Sequence, residues 1–162
     1  MELWDAYDRD FNRIEGATLV RGEPIPKGMF HLVCDILVRH ADGDYLLMRR
    51  DPRKHRGGLW EATAGGSALR GETPLQCAAR ELREETGIAA DDLVEVGRVV
   101  SDENHSLYVE FLCVTDWPKD GVTLQAGETD AWRWVARDAL IDMDADTLVT
   151  ERMQGFIREL QR

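Results

Sequence analysis

Residues 66–88 read GSALRGETPLQCAARELREETGI, and this stretch predicts a helix carrying a row of carboxylates beside a glycine-bearing loop. Thr73 followed by Pro74 is a helix start: the hydroxyl caps the first turn, proline suits the first helical position, and Gln76 completes a capping box. Gly87 is placed to close the element, which is expected to run from about Pro74 to Thr86. On such a helix Glu81 and Glu85 lie one turn apart and Glu84 follows Glu81 by three residues, so all three carboxylates share one edge. Like charges at that spacing repel. They stay ionised near neutral pH most readily when a cation holds them together, and an all-oxygen donor set favours a hard ion such as Mg2+ or Mn2+. Arg80, four residues before Glu84, is placed to orient it through a charge-assisted hydrogen bond. A solvated helix face would account for the string ELREE alone, but not for the glycines and Glu72 at their offsets.

Taken as an ordered set, Gly66, Glu72, Arg80, Glu81, Leu82, Glu84, Glu85, Gly87 and Ile88 satisfy the pattern G-x5-E-x7-R-E-U-x-E-E-x-G-U, with U a bulky aliphatic. Background residue frequencies put a chance match on the order of one in a billion per starting position. The segment resembles a complete Nudix box, and the chain is thereby similar to the Nudix hydrolase superfamily. That resemblance implies an α/β protein, a Nudix-type α/β/α sandwich with a mixed β-sheet. It also implies hydrolysis of a diphosphate linkage, in a nucleoside diphosphate derivative or another organic diphosphate, with Mg2+ or Mn2+ as cofactor. By the same resemblance Glu81, Glu84, Glu85 and the Gly66 carbonyl are the metal ligands, Glu81 and Glu84 also serve catalysis, and Glu72 supports them.

A further carboxylate is expected from outside the box, and two compete. Glu128 stands six residues before Trp134, a placement that resembles the loop glutamate completing the site in several nucleotide-directed Nudix enzymes. Glu110 sits inside the apolar run Tyr108 to Cys113, where an inward carboxylate would be costly unless paired or metal-bound, although strand alternation would also turn it outward. Glu128 is the preferred catalytic residue. Trp132 and Trp134 read as packing residues ahead of base-stacking platforms.

Composition bounds the remaining possibilities. A chain of 162 residues that is 43% hydrophobic can build one ordinary core but not two sizeable ones, so residues 1–162 are expected to form one domain. No run approaches the ~18 apolar residues of a membrane span, and the acidic start MELWDAYDRD lacks the basic and apolar regions of a secretory signal; the cytoplasm is the expected location. Cys34, Cys77 and Cys113 are odd in number and widely spaced, which favours reduced, buried thiols over a disulfide framework. A net charge of -11 argues against binding to nucleic-acid polymers. Against it stands the segment 49–56, RRDPRKHR, with five formal positive charges and one negative. A polyanionic substrate needs such cations near the carboxylate cluster, and Arg50 and Lys54 are the preferred phosphate contacts. The expected partner is a small-molecule diphosphate, with no membrane involved, and the resemblance allows a homodimer.

Around the box, Glu2 to Asp8 and Glu15 to Arg21 predict an N-terminal hairpin, and Phe30 to His40 with Tyr45 to Arg50 predict a second one around Ala41–Asp44. Strands are expected over Leu93 to Val100, Leu107 to Thr115 and Ala131 to Val135. A last helix is expected from about Thr147 to Leu160, capped by Asp146, with Leu148, Met153, Phe156, Ile157 and Leu160 as its apolar stripe.

The segment Trp4 to Asp8, then Arg21-Gly22, Ile25-Pro26, Gly28 and Phe30 to Val33, resembles the Nudix proteins related to type I isopentenyl-diphosphate isomerases. That isomerase uses a Cys in a C-[GS]-H-P segment, and here Gly65 stands in its place. Hydrolysis is therefore the expected chemistry ahead of allylic isomerisation. A non-catalytic module that senses a nucleotide is the other alternative, and its mark, loss of box carboxylates, is absent.

Overall fold

A computed structural model describes residues 1–160; the last two residues of the expected domain, 161 and 162, lie outside the described residues. Strands β1 (Leu3–Tyr7) and β2 (Arg13–Val20) form a two-stranded antiparallel sheet. Then follow β3 (His31–His40), β4 (Tyr45–Arg50), β5 (Trp60–Glu61), β6 (Thr63–Ser67), α1 (Pro74–Thr86), β7 (Val94–Ser101), β8 (Ser106–Thr115), β9 (Thr129–Val135), α2 (Arg137–Ile141), a 3-10 turn (Ala145–Thr147) and α3 (Arg152–Glu159). The seven strands β3 to β9 make a mixed sheet in which β3 and β8 run parallel and every other pairing is antiparallel.

Side-chain alternation along β3 sorts the layers. Leu32, Cys34 and Ile36 turn to one face and meet Cys77, Ala78 and Leu82 of α1 in a common core. From the opposite face Leu37 joins Leu112, Tyr45 and Leu47 under Leu140 of α2 and Met153 and Ile157 of α3. The fold is thus an α/β sandwich, with α1 on one side of a mixed sheet and α2 and α3 on the other.

Three local outcomes differ from expectation. The second hairpin is paired only at Arg39↔Tyr45. Beyond that point β3 gives its edge to β6, from Val33↔Ser67 to Leu37↔Thr63, while β4 pairs with β9 and β5. The short strands β5 and β6 and the helix α2 were not anticipated, because Gly-rich and two-residue segments carry too little hydrophobic period to be read. The long last helix is also replaced: Val149 donates its N–H to the Trp60 carbonyl at 2.9 Å, so the chain runs extended there and α3 begins only at Arg152. Asp146 accordingly caps no helix; Asp144 caps the 3-10 turn by accepting the Asp146 N–H at 3.0 Å. Leu148, Met153 and Ile157 of the expected stripe are nonetheless buried.

Candidate active site

Helix α1 begins as its sequence dictates. The Thr73 hydroxyl accepts the Gln76 N–H and the Gln76 side chain accepts the Thr73 N–H, at 3.2 and 3.0 Å, and Gly87 closes the helix in the left-handed conformation at φ 78°. Its buried stripe, Cys77, Ala78 and Leu82, fixes the rotation that carries Glu81, Glu84 and Glu85 into the lining of a cleft of about 790 Å³.

The approach of those carboxylates to the sheet depends on two glycines in β6. A Cβ at Gly65 would stand 2.3 Å from the Cys34 carbonyl oxygen, and a Cβ at Gly66 would stand 2.5 Å from Glu81 Oε1. With no side chains there, Gly65 donates its N–H to Glu85 Oε2 at 3.2 Å. Burial raises the Glu85 carboxyl well above the usual range and the neighbouring Glu81 charge adds to the effect, while the Gly65 N–H opposes it. Glu81 is raised for the same first reason, with Arg80 opposing.

Arg80 has a different principal partner from the one its spacing suggested. It grips Glu72 through Nε at 2.6 Å and Nη2 at 3.0 Å, reaches Glu81 at 2.8 Å, and touches Glu84 only at 3.3 Å. Glu72 in turn accepts the Leu69 N–H at 2.8 Å. Burial alone would raise Glu72, but Arg80 and that backbone donor hold it below its ordinary value, and the Glu72 contact raises Arg80 further. Glu72 and Arg80 therefore clamp the glycine loop onto the helix.

The remaining sequence candidates fall on both sides of the cleft wall. Arg50, Lys54 and Glu128 line it together with His55 and Arg56. Lys54 is ion-paired to Glu128, and Arg50 reaches Glu61 at 2.8 Å and the His55 carbonyl at 2.7 Å. Glu110 does not line the cleft: its side chain is 1% exposed. It stands in register beside Asp35 on the parallel pair β3–β8, with Arg152 reaching Asp35 at 2.7 Å and approaching Glu110 to 3.3 Å. Burial raises both carboxyls, Asp35 to about 6, against the pull of Arg152. Asp35, Glu61, Tyr108 and Arg152 all line the cleft, and none was singled out from sequence. Asp35 stood inside an apolar strand run, which was the one available signal. Trp132 and Trp134 stay out of the cleft lining and both give their indole N–H to the Lys119 carbonyl, at 3.2 and 3.0 Å.

A cation fits this donor set. The ligand candidates are all oxygens, Glu85 is a buried carboxylate held at the glycine cradle, and neither cradle position has room for a Cβ. As the side chains stand, no three His, Cys, Asp or Glu among the described residues converge closely enough to hold an ion: Arg80 takes Glu81 and Glu84 and Gly65 takes Glu85, as mutual repulsion of the carboxylates favours. The Gly66 carbonyl accepts the Cys77 thiol at 3.6 Å and keeps a second lone pair. None of the three thiols lines the cleft, and all three are buried. No described helix is long and apolar enough to cross a membrane.

Known proteins resemble this chain in sequence and in fold. The NUDIX domain family matches residues 29–160. An uncharacterized Nudix hydrolase of Listeria innocua is 31% identical over 86% of this chain and 83% of its own length. Its counterpart in Listeria monocytogenes is 38% identical over 56% of this chain, a match that spans 54% of that protein. An isopentenyl-diphosphate Delta-isomerase of Corynebacterium diphtheriae is 31% identical over 68% of this chain and 66% of its own length, in keeping with the N-terminal resemblance. Among solved structures, DR0079 of Deinococcus radiodurans shares the fold with a TM-score of 0.76 at 18% identity, covering 99% of this chain and 100% of the other. The chain belongs to the NUDIX domain family.

Proposed function

We propose that this protein hydrolyses the diphosphate linkage of a nucleoside diphosphate derivative or related organic diphosphate, with Mg2+ or Mn2+ held by Glu81, Glu84, Glu85 and the Gly66 carbonyl. The observation that carries this reading is the placement of the box carboxylates on one cleft with Arg50, Lys54, His55 and Arg56. Such a cleft offers acceptors for a cation and donors for phosphate oxygens within one substrate's reach. When bound, the cation supplies Lewis-acid stabilisation of phosphoryl charge and lowers the pKa of an attacking water.

The chain's own groups supply the rest. Arg50 and Lys54 bind phosphate oxygens, exchanging contacts they otherwise make with Glu61 and Glu128. Glu128, once Lys54 turns to the substrate, accepts the proton of the attacking water. The water oxygen forms a bond to phosphorus, the bridging P–O bond breaks, and its electron pair leaves with the departing phosphate. Glu72 and Arg80 hold Glu81 and the glycine loop in place throughout. Allylic isomerisation is not supported, since Gly65 stands where that chemistry needs a thiol and no cysteine lines the cleft.

Chromatographic detection of the phosphomonoesters, phosphate or pyrophosphate formed from nucleotide sugars, dinucleotides, nucleoside triphosphates and prenyl diphosphates, each with Mg2+, Mn2+ or EDTA, tests the reading. Turnover of one class that EDTA and Glu85→Gln both abolish is the expected result. Undiminished activity in folded Glu85→Gln would overturn it.

A further inference from the structure

One row across the sheet is unusual in composition. Gly65 of β6, Asp35 of β3, Glu110 of β8 and Gly97 of β7 stand side by side as register partners, two carboxyls flanked by two glycines. At the Gly97 end Phe156 of α3 closes the row, because a Cβ on Gly97 would lie 2.1 Å from its ring. Towards Gly65 the row meets the cleft, which Asp35 and Gly65 line. Arg152 covers the two carboxyls. Its Nη2 donates to Asp35 Oδ2 at 2.7 Å, its Nε stands 3.3 Å from Glu110 Oε1, and its guanidinium lies 4.2 Å from the Tyr108 ring centre.

As a tether for α3 alone this arrangement is poor. Arg152 Nε is buried without a hydrogen bond of good geometry, and beyond it the Glu110 oxygens have no partner but the neighbouring Asp35 carboxyl, a costly state that a merely structural site would be expected to avoid. Two carboxyls facing one guanidinium also leave the site rich in acceptors. Such a surface favours a ligand edge that brings N–H donors and disfavours one that brings carbonyl oxygens. A carboxylate accepting from an exocyclic amine is the pairing that distinguishes cytosine among the pyrimidines, and adenine offers the same amine beside an unprotonated ring nitrogen.

We propose that Asp35 and Arg152, on the Tyr108 wall of the cleft, select an amino-bearing nucleobase, cytosine or adenine, over its keto counterpart. Asp35 accepts from the exocyclic amine and the guanidinium donates to the neighbouring ring nitrogen. Glu110 is a positioning residue that fixes Arg152 from behind. This rests on the nucleotide-hydrolase reading above and adds the specificity to it.

Nucleoside monophosphates separate recognition from turnover, since they have no diphosphate linkage. Titration calorimetry with Mg2+ would compare CMP with UMP and AMP with IMP, pairs that differ at the amino or keto edge. The expected result is at least tenfold tighter binding of the amino member in one pair, and which pair responds identifies the base. Asp35→Asn, an amide that donates as well as accepts, should reduce that ratio to within about threefold, and Glu110→Gln should reduce it less. Equal binding within both pairs, or a ratio untouched in folded Asp35→Asn, would overturn the proposal. Discrimination without any hydrolysis of the corresponding di- and triphosphates to the monophosphate would sink the hydrolase reading and leave this one standing. Hydrolysis without discrimination would do the reverse.

Discussion

Gly65 and Glu85 meet across the cleft wall at 3.2 Å, backbone N–H to carboxylate, and the contact exists because position 65 carries no side chain. An alanine there would put its Cβ 2.3 Å from the Cys34 carbonyl and 2.6 Å from Asp35 Oδ1. Both neighbours belong to the central strand and have little room to yield. Gly65→Ala is therefore expected to destabilise the fold by about 1–3 kcal/mol, the usual cost of overpacking. Urea denaturation should show it as a lower midpoint at unchanged slope. Gly65→Cys should behave no better, and gain no isomerase activity.

The Glu72–Arg80 clamp makes a second prediction. Arg80→Lys keeps the charge but loses the planar fork that grips both Glu72 oxygens while reaching Glu81. Groups that hold metal ligands in place are typically worth ~10–100-fold in metal affinity or activity. The Mg2+ concentration giving half-maximal hydrolysis should rise within that range, with the melting temperature little changed. An unshifted Mg2+ titration in folded Arg80→Lys would remove the clamp from the account.

The box, its helix and both caps were legible because their signals are local: hydroxyl, proline and glycine at fixed offsets determine a helix whatever surrounds it. The cleft was legible only in part. Arg50 and Lys54 announced themselves by charge density in an acidic chain, whereas Asp35, Tyr108 and Arg152 are joined by strand register and by the late start of α3. Residues 117 apart in sequence, such as Asp35 and Arg152, leave no trace in any window of one sequence. The extended stretch at Val149 that breaks the expected helix is likewise a tertiary event, set by the Trp60 carbonyl.

Lys54 and Glu128 form an ion pair at the cleft, and the proposed roles assign them different kinetic signatures. Lys54→Met should raise KM for the diphosphate substrate and weaken the rise of KM with added salt, since one screened attraction has gone. Glu128→Gln should leave KM nearly unchanged and lower kcat by ~100-fold or more, the range for loss of a general base. Steady-state kinetics at two ionic strengths would check both. A kcat unaffected by Glu128→Gln would transfer the proton-accepting role to a box glutamate.

His31 gives the fold a dependence on pH that is separate from the chemistry. It is stacked on Trp4 at 4.3 Å and placed between Ser106 and Ser67 at 2.7 and 3.2 Å. Burial lowers its pKa from 6.5 to about 4, with the Arg21 and His105 charges acting in the same direction. Between those values the unfolded chain binds the proton and the native chain does not, so its contribution is complete above pH 6.5 and is lost as pH falls towards 4. With the site partly open to solvent, the loss should be on the order of 1–2 kcal/mol across that window. His31→Gln has no such proton to bind. Its stability should fall less steeply than that of the wild type over the same range, in urea titrations at successive pH values. Parallel curves for the two proteins would show that His31 is not the group responsible.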